Sequence, residues 1–358
     1  MQNSNGSIQS HILIFRFVVI LAVLPIFSSF INNQAEATAS EVIYLPLVTN
    51  NAVFSYQSTL SRYMGYNNNQ PHNLTGTKMY NLGCSLGNSI SGGSNVVVIL
   101  DYGQPWRNTS DVYGVKLYDQ PYYTFVSTSM VRYWSESYLD GFGDCSPSNS
   151  HLSLSIGTTN QGAYVGQTHG EQWGTMVNEV ASYAEARTYS GKVRVYGGID
   201  NELLWNGRQA SLDWATGYGN EGSWEYLYFG NCSGCPTETY YWYDPDGDWT
   251  LEDVYLMADG KYLAETLPQI YATSGINAEQ WFYASLYTFI EHEYPLTILG
   301  SLTQWDACQD RPTDCYSGLP YATDNSPIQG WSQLWVELHS DSRTGVPMSW
   351  STDISWDN

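Results

Sequence analysis

The stretch RVYGGIDNELLW, residues 194–205, runs from an apolar, β-rich segment directly into Asp200, Asn201 and Glu202. Side chains two positions apart in an extended segment point the same way, so both acids share one face. The stretch therefore predicts a buried strand that brings two carboxylates to one end of a sheet or barrel. The alternative is a turn in which Asp200 accepts backbone hydrogen bonds and Glu202 begins a short helix.

Short β-rich runs alternate with amphipathic helical segments from about residue 94 to the end of the sequence, which predicts an α/β fold. The predicted strands are residues 96–100, 152–156, 193–199, 226–229, 254–258, 268–271, 296–301 and 346–350. Eight strand–helix units of this total length predict a (β/α)8 TIM-type barrel, which usually takes ~250 residues. A doubly wound open sheet is the alternative, but no GxGxxG or Walker sequence follows a predicted strand.

The N-terminal part of the sequence carries a targeting signal. Residues 12–30 form an apolar run that is followed by polar residues and by Ala37-Thr38-Ala39, so residues 1–39 are a predicted secretory signal peptide. An uncleaved membrane anchor is the alternative, because the run is nearly long enough to span a bilayer. Residues 40–93 are predicted to be an irregular N-terminal segment packing on the barrel, and residues 94–358 the barrel domain itself. We expect a secreted protein or one tethered to the cell surface.

The charge balance excludes several classes of partner. The chain has 13 Lys plus Arg against 35 Asp plus Glu, a formal net charge of −22. A field of that sign repels phosphates, so neither nucleic acid nor an anionic membrane surface is expected as a partner. The 14 Trp and 30 Tyr residues favour an ordered core with polar-aromatic surfaces, and we expect a monomer.

The six cysteines are typical of an oxidising compartment. Local disulfides Cys308–Cys315 and Cys232–Cys235 would leave Cys84 to pair with Cys145, one of about 15 conceivable pairings. The CxxC at 232–235 is also the spacing of a redox centre or half of a zinc site. Its Gly/Ser/Pro-rich surroundings and the lack of a second ligand pair favour a structural disulfide.

Active sites of (β/α)8 barrels lie at the carboxyl ends of the strands, so the residues that follow each predicted strand are the site candidates. Carboxylates, amides and aromatic residues dominate there, with almost no Lys or Arg. Amides and carboxylates can hold sugar hydroxyls, and aromatic faces stack on pyranose rings. The predicted carbohydrate-binding residues are Gln104, Trp106, Asn160, His169, Asn231, Asp259, Tyr271, Gln304 and Trp305.

Glycoside hydrolysis requires two carboxyl groups on either side of the scissile bond. Like charges held close together raise the pKa of one of them, which a general acid needs. We therefore predict Glu202 as the general acid and Asp200 as the nucleophile or base, with Asp101 as the alternative second carboxylate. The alternative for Asp101 is that it accepts hydrogen bonds from amides in the long loop that follows.

A calcium loop is conceivable at Asp244, Asp246 and Asp248, which stand at positions one, three and five. Gly at position six and Glu at position twelve are absent. The alternative is a polar loop that leads into a helix through a capping box beginning at Thr250. No other metal or cofactor is predicted.

Five segments carry a family resemblance. The segments THGEQWGTMV, GGIDNELLW, INAEQWFYASLYTF, LTQWDAC and QGWSQLW resemble a group of secreted bacterial proteins of unestablished activity with a glycoside-hydrolase-like (β/α)8 barrel. The resemblance covers roughly residues 94–355. In such relatives the third strand tends to end Gly-Gly-Asn-Asp-Ile-Glu, and this chain keeps both acids at that spacing. The DxxDxDxE pattern of chitinase-type barrels is not kept, since its two aspartates upstream of Asp200 are absent.

Together these features predict a glycoside hydrolase-like protein that acts on a polysaccharide or cell-wall glycan by two-carboxylate acid/base catalysis. The alternative is a barrel of the same fold that binds carbohydrate without turnover, or a structural surface protein.

Overall fold

A computed structural model describes residues 58–221, 225–238, 244–260, 264–319 and 321–357. The predicted signal peptide and residues 40–57 lie outside this range. The strands are β1 (Ser58–Tyr63), β2 (Asn95–Asp101), β3 (Gln104–Arg107), β4 (Tyr113–Lys116), β5 (Phe125–Ser127), β6 (His151–Thr159), β7 (Val193–Asp200), β8 (Tyr226–Tyr228), β9 (Ala264–Thr266), β10 (Gly300–Thr303) and β11 (Trp350–Trp356). The α-helices are α1 (Gly76–Ser89), α2 (Thr128–Cys145), α3 (Gln167–Glu185), α4 (Arg208–Glu221), α5 (Leu251–Tyr255), α6 (Ile276–His292), α7 (Trp305–Asp310), α8 (Pro312–Cys315) and α9 (Pro327–Leu338).

Eight of the strands form one parallel sheet in the order β10, β11, β1, β2, β6, β7, β8, β9. Two parallel bridges, Thr266 with Ile298 and Gln269 with Leu302, join the segment after β9 to the region of β10. The sheet is thereby nearly closed on itself, with helices between its strands. The predicted (β/α)8 barrel is confirmed, and β3, β4 and β5 form a separate antiparallel sheet inserted after β2.

The barrel begins earlier than the sequence predicted. Strand β1 pairs with β11 on one side and with β2 on the other, so the barrel starts at Ser58 and not at residue 94. This strand was not predicted from its sequence, STLSRY, because its inward positions are polar. Thr59 donates to the carbonyl of Val97, and Ser61 hydrogen-bonds to Thr352. A strand with hydroxyls inside and few apolar residues lacks the usual pattern of a buried strand.

Four other predicted strands are placed differently. The strand predicted at residues 296–301 overlaps β10 only at Gly300 and Ser301. Residues 254–258 are helical, because the capping box of Thr250 and Asp253 begins α5 there and a π-helical turn, Leu256–Gly260, continues it. Residues 268–271 contribute only a bridge, and the strand before them is β9. The last strand starts at Trp350, where the predicted one ends.

Two apolar cores hold the barrel. Alternate residues of β2 divide between them: Val97 and Ile99 point into the barrel, while Val96, Val98 and Leu100 face the surrounding helices. The inner core is completed by residues on or directly after five other strands, β7 to β11: Tyr196, Leu227, Phe229, Leu267, Leu302, Trp350 and Ile354. The barrel is therefore filled by side chains, and the inward hydroxyls of Thr59 and Ser61 are paired by hydrogen bonds.

The six cysteines form the three predicted disulfides. Cys84–Cys145 joins α1 to α2, while Cys232–Cys235 and Cys308–Cys315 brace the loops after β8 and β10. In the described part of the chain, no helix combines the length and apolar character needed to cross a membrane.

Helices α3 and α4 approach each other at two glycines. A Cβ atom on Gly170 would lie 2.0 Å from the Trp214 carbonyl oxygen, and one on Gly217 would lie 2.0 Å from the Gln167 carbonyl oxygen. These carbonyl groups belong to the helix backbone, so they cannot move aside as a flexible side chain could. The separation of these helices therefore depends on the absence of both side chains.

We expect Gly170→Ala to lower the free energy of unfolding by about 1–3 kcal/mol, because overpacking against backbone outweighs the gain in helix propensity. Gly191→Ala is the matched control, since a Cβ there meets no atom within 4 Å. Urea unfolding of both variants checks this, and a Gly170→Ala protein as stable as the wild type would contradict it.

Candidate functional site

The carboxyl ends of the barrel strands form a layer of inward-facing polar and aromatic residues. Tyr63 pairs in register with Asp101 on one side and with Trp356 on the other, and Thr159 pairs with Asp200. These residues end β1, β2, β11, β6 and β7, so parallel pairing brings them to the same end of the barrel. We call this end of the barrel the mouth.

Asp200 and Glu202 both interact with Gln269. Asp200 is 2% exposed, and its Oδ1 accepts a 2.7 Å hydrogen bond from Nε2 of Gln269. The Gln269 side chain also lowers the pKa of Glu202 through hydrogen bonding. The partner of Asp200 is thus a side chain across the mouth and not the amides of its own turn.

Two asparagines position Glu202. Oδ1 of Asn160 accepts from the Glu202 backbone amide (3.1 Å), and its Nδ2 donates to the Glu202 carbonyl (3.0 Å). Asn160 is fully buried, so it holds the backbone of Glu202 and is not a sugar-lining residue as predicted. Nδ2 of Asn231 donates directly to Oε2 of Glu202. Glu202 itself remains partly exposed.

Asp101 is the third carboxyl of the mouth and is fully buried. It accepts a hydrogen bond from the Gly103 amide (2.9 Å), as the alternative interpretation expected, and another from the hydroxyl of Tyr118 (2.7 Å). The Tyr118 ring also packs against Tyr63, with 5.1 Å between the ring centroids.

Burial raises the pKa of all three carboxyls. The pKa of Asp101 rises to about 6 and that of Glu202 to about 7, in each case against hydrogen bonds that lower it. The pKa of Asp200 rises well above its ordinary value because of burial and then because of the charges of Glu202 and Asp101. None of the ion pairs in the described part of the chain involves these three acids. Near neutral pH the cluster therefore retains a proton, and its titration belongs to the group as a whole.

Three phenols complete the cluster. Burial is the main cause of the raised pKa values of Tyr63, Tyr118 and Tyr271, and the charge of Asp200 adds to it in each. All three therefore stay neutral beside the acids. Tyr271 was predicted from its position after a strand. Tyr63, Tyr118 and Gln269 were missed.

His169 does not lie in the mouth. It is 1% exposed in α3, and its Nδ1 accepts a 3.0 Å hydrogen bond from the indole N–H of Trp214. Its Nε2 therefore carries the proton and donates to the carbonyl of Gly114 at 3.0 Å. Burial lowers the pKa of His169 to about 4. The predicted role in sugar binding is wrong, because this neutral imidazole joins α3 and α4 to the inserted sheet.

Asp259 lies elsewhere. It precedes β9, and it accepts from the amide of Thr297, which precedes β10, so both are at the opposite end of the barrel. Asp259 cannot contact a ligand in the mouth, and its predicted sugar-binding role is wrong. Trp305 follows β10 and lines a cavity of about 450 Å³ beside Leu60 and Arg62 of β1. Its sugar-binding role stays a prediction.

Three predicted residues belong to the rim of the mouth. Nε2 of Gln304 donates to the carbonyl of Thr323 (2.9 Å), which holds the segment after β10. Gln104 and Trp106 lie on β3 in the inserted sheet. The ammonium of Lys116 is 3.4 Å from the centroid of the Trp106 ring, and Tyr164 packs edge-on against that ring at 4.9 Å.

The predicted calcium ligands do not converge. Oδ2 of Asp246 accepts from Ser233, Oδ1 of Asp248 accepts from the Arg208 amide, and Asp244 is exposed. Within the described ranges, no group of three or more His, Cys, Asp or Glu residues could hold a metal ion. Calcium binding at this loop stays a prediction.

Comparisons with known proteins add little to this geometry. No protein family and no curated protein matches the sequence. Among solved structures, the chain is similar to N-acetylneuraminate lyase (sialic acid aldolase) from Aliivibrio salmonicida, with 8% identity and a TM-score of 0.25 over 66% of this chain and 74% of that one. A likeness this distant carries no functional argument. The class of the protein, a (β/α)8 barrel with a buried carboxyl cluster at its mouth, is defined by its own strand pairing and contacts.

Asp200→Asn is expected to stabilise the protein in a pH-dependent way. The native pKa of Asp200 lies above the ~3.9 of an unfolded chain, so native stability falls as pH rises from about 4 towards the native pKa. Asparagine does not ionise, so the variant does not lose this stability as pH rises. The Tm difference between Asp200→Asn and wild type should be near zero at about pH 4 and positive at about pH 7.5.

The exposed acid Asp244 provides the control, and Asp244→Asn should show no such trend across the same scans. A constant difference between Asp200→Asn and wild type, or one that shrinks as pH rises, would contradict the raised pKa of Asp200.

Proposed function

We propose that this protein is a secreted glycoside hydrolase that acts on a polysaccharide or cell-wall glycan. The observation that carries the proposal is the pair of acids Asp200 and Glu202 at the mouth of the barrel. Both interact with Gln269, and burial raises the pKa of both. A carboxyl that keeps its proton near neutral pH is what protonation of a glycosidic oxygen requires.

Exposure divides the roles between the two acids. Glu202 is partly exposed and has a pKa of about 7, so it is the general acid that reaches the leaving oxygen. Asp200 lies beneath it and supplies the second carboxyl. When Glu202 holds the proton, its charge no longer raises the pKa of Asp200, and in that state Asp200 ionises to act as nucleophile or base. Asp101, held by Tyr118, contributes negative charge below the pair.

Secretion is supported by two features. The sequence has a signal-like apolar run over residues 12–30, and all six cysteines are paired as disulfides, a state that persists in oxidising compartments.

Glu202→Gln tests the proposed acid. After a screen of polysaccharides and peptidoglycan for release of reducing ends, we expect this variant to lose about 10²–10⁴-fold in kcat, because an amide cannot donate the proton. Asp259→Asn is the matched control: burial also raises the pKa of Asp259, but it lies at the far end of the barrel, and activity should be unchanged.

The wild-type pH profile adds a second check. Activity should fall as pH rises above about 7, where the Glu202 acid loses its proton. Undiminished hydrolysis by Glu202→Gln would refute its role. Glycan binding with no turnover by the wild type would support the non-catalytic barrel instead.

A further inference from the structure

Arg311 packs against a pair of touching aromatic rings at the edge of the mouth, Trp356 and Tyr66, whose centroids lie 5.3 Å apart. The guanidinium carbon of Arg311 lies 4.0 Å from the centroid of the Trp356 ring and 4.2 Å from that of Tyr66. The Cys308–Cys315 disulfide encloses this position in the segment after β10. Arg311 is therefore held in place by two rings and a covalent loop.

The charge of Arg311 is only weakly compensated. Its ion pair with Asp314 is long, at 3.7 Å, and the side chain of Asp314 is 60% exposed. Such exposed pairs contribute little. Because the two rings contact each other, they cover only one side of the guanidinium, and N–H groups on its other side are left for a planar acceptor. The Arg311 side chain is 24% exposed.

Contacts between rings connect Arg311 to the carboxyl cluster. The Trp356 ring lies 4.7 Å from the ring of Tyr63, centroid to centroid. Tyr63 in turn pairs with Asp101 and lies in the field of Asp200 and Glu202. Arg311 is thus a cation two ring contacts away from a group of acids, in a chain whose net charge is −22.

Exposed aromatic faces stand in the same segment. Tyr316 and Tyr321 are 56% and 61% exposed, with 5.3 Å between their ring centroids. Rings of this kind, in a segment that also carries a planar cation, suit a pyranose unit that carries a carboxylate.

From these contacts we propose that Arg311 binds the carboxylate of an acidic sugar unit in a subsite beside the carboxyl cluster, so that the glycan recognised contains carboxylated sugars. This deepens the proposed function and rests on it for turnover, but binding can be tested separately. A carboxylate at Arg311 makes two parallel hydrogen bonds to the guanidinium edge, and the cluster beyond it repels a second acid group.

The test measures binding by the Glu202→Gln protein, in which turnover is blocked, at about 0.15 M salt, where long-range repulsion is screened beyond about 8 Å. The probes are polygalacturonate, alginate and hyaluronan, with methyl-esterified polygalacturonate as the neutral counterpart and dextran sulfate as a polyanion without carboxylates. Variants Arg311→Gln and Arg311→Lys are compared with Arg343→Gln, an exposed arginine paired with Asp341 in the turn before β11.

We expect at least one carboxylated polymer to bind, and Arg311→Gln to weaken it about tenfold or more, the effect of losing one charge-assisted contact. Arg311→Lys should restore binding only in part, because an ammonium cannot make the bidentate contact. Arg343→Gln should bind like its parent, and Arg311→Gln should leave binding of the methyl ester unchanged.

Several results would overturn the inference. The first is that no carboxylated polymer binds, and the second is that dextran sulfate binds equally well. The third is that Arg311→Gln weakens binding of the acidic and the esterified polymer equally, as a purely structural role of Arg311 predicts. If the protein hydrolyses a neutral glycan and Arg311 has no effect on that activity, the carboxylate subsite is refuted but the proposed hydrolase function stands. If the wild type binds an acidic polymer through Arg311 and never hydrolyses it, the subsite stands and the proposed hydrolase function is refuted.

Discussion

The site depends on three carboxyl groups being buried together at the mouth of a filled barrel. Below them, Val97, Ile99 and their apolar neighbours exclude water, so ionising all three acids is unfavourable. The cluster is instead held by uncharged donors, namely Gln269 on Asp200, Asn231 on Glu202 and the phenol of Tyr118 on Asp101. Such donors stabilise a carboxylate, but less than a positive charge would, so the cluster can keep one proton for catalysis.

The scaffold makes that arrangement stiff. Parallel register sets the height of Asp101 and Asp200, and fully buried Asn160 fixes the backbone of Glu202 from both sides. Farther out, neutral His169 connects α3 and α4 to the inserted sheet, so the wall behind the site is tied to the part of the rim formed by that sheet. Sites of this kind perform when their supporting contacts are themselves satisfied.

Much of this could be predicted from the sequence, and the failures have physical causes. The strand that leads into Asp200 and Glu202 was predicted correctly because two acids directly follow a run of apolar residues. Strand β1, with Tyr63 at its end, was missed because hydroxyls fill its inner face, and Asp259 was misplaced because the β-rich run 254–258 follows a capping box and is helical. Gln269 could not be recognised, since only the closure of the barrel brings it to Asp200.

The measurement that tests the account most directly is the titration of the Glu202 carboxyl by ¹³C NMR, with Glu202→Gln used to assign its signal. The account predicts that this carboxyl is still substantially protonated near neutral pH, with a pKa of about 7. It also predicts that Gln269→Leu raises this pKa, because a hydrogen bond that favours the anion is lost. A Glu202 that titrates near the ordinary ~4.3 of a solvated glutamate would contradict the buried, proton-sharing cluster.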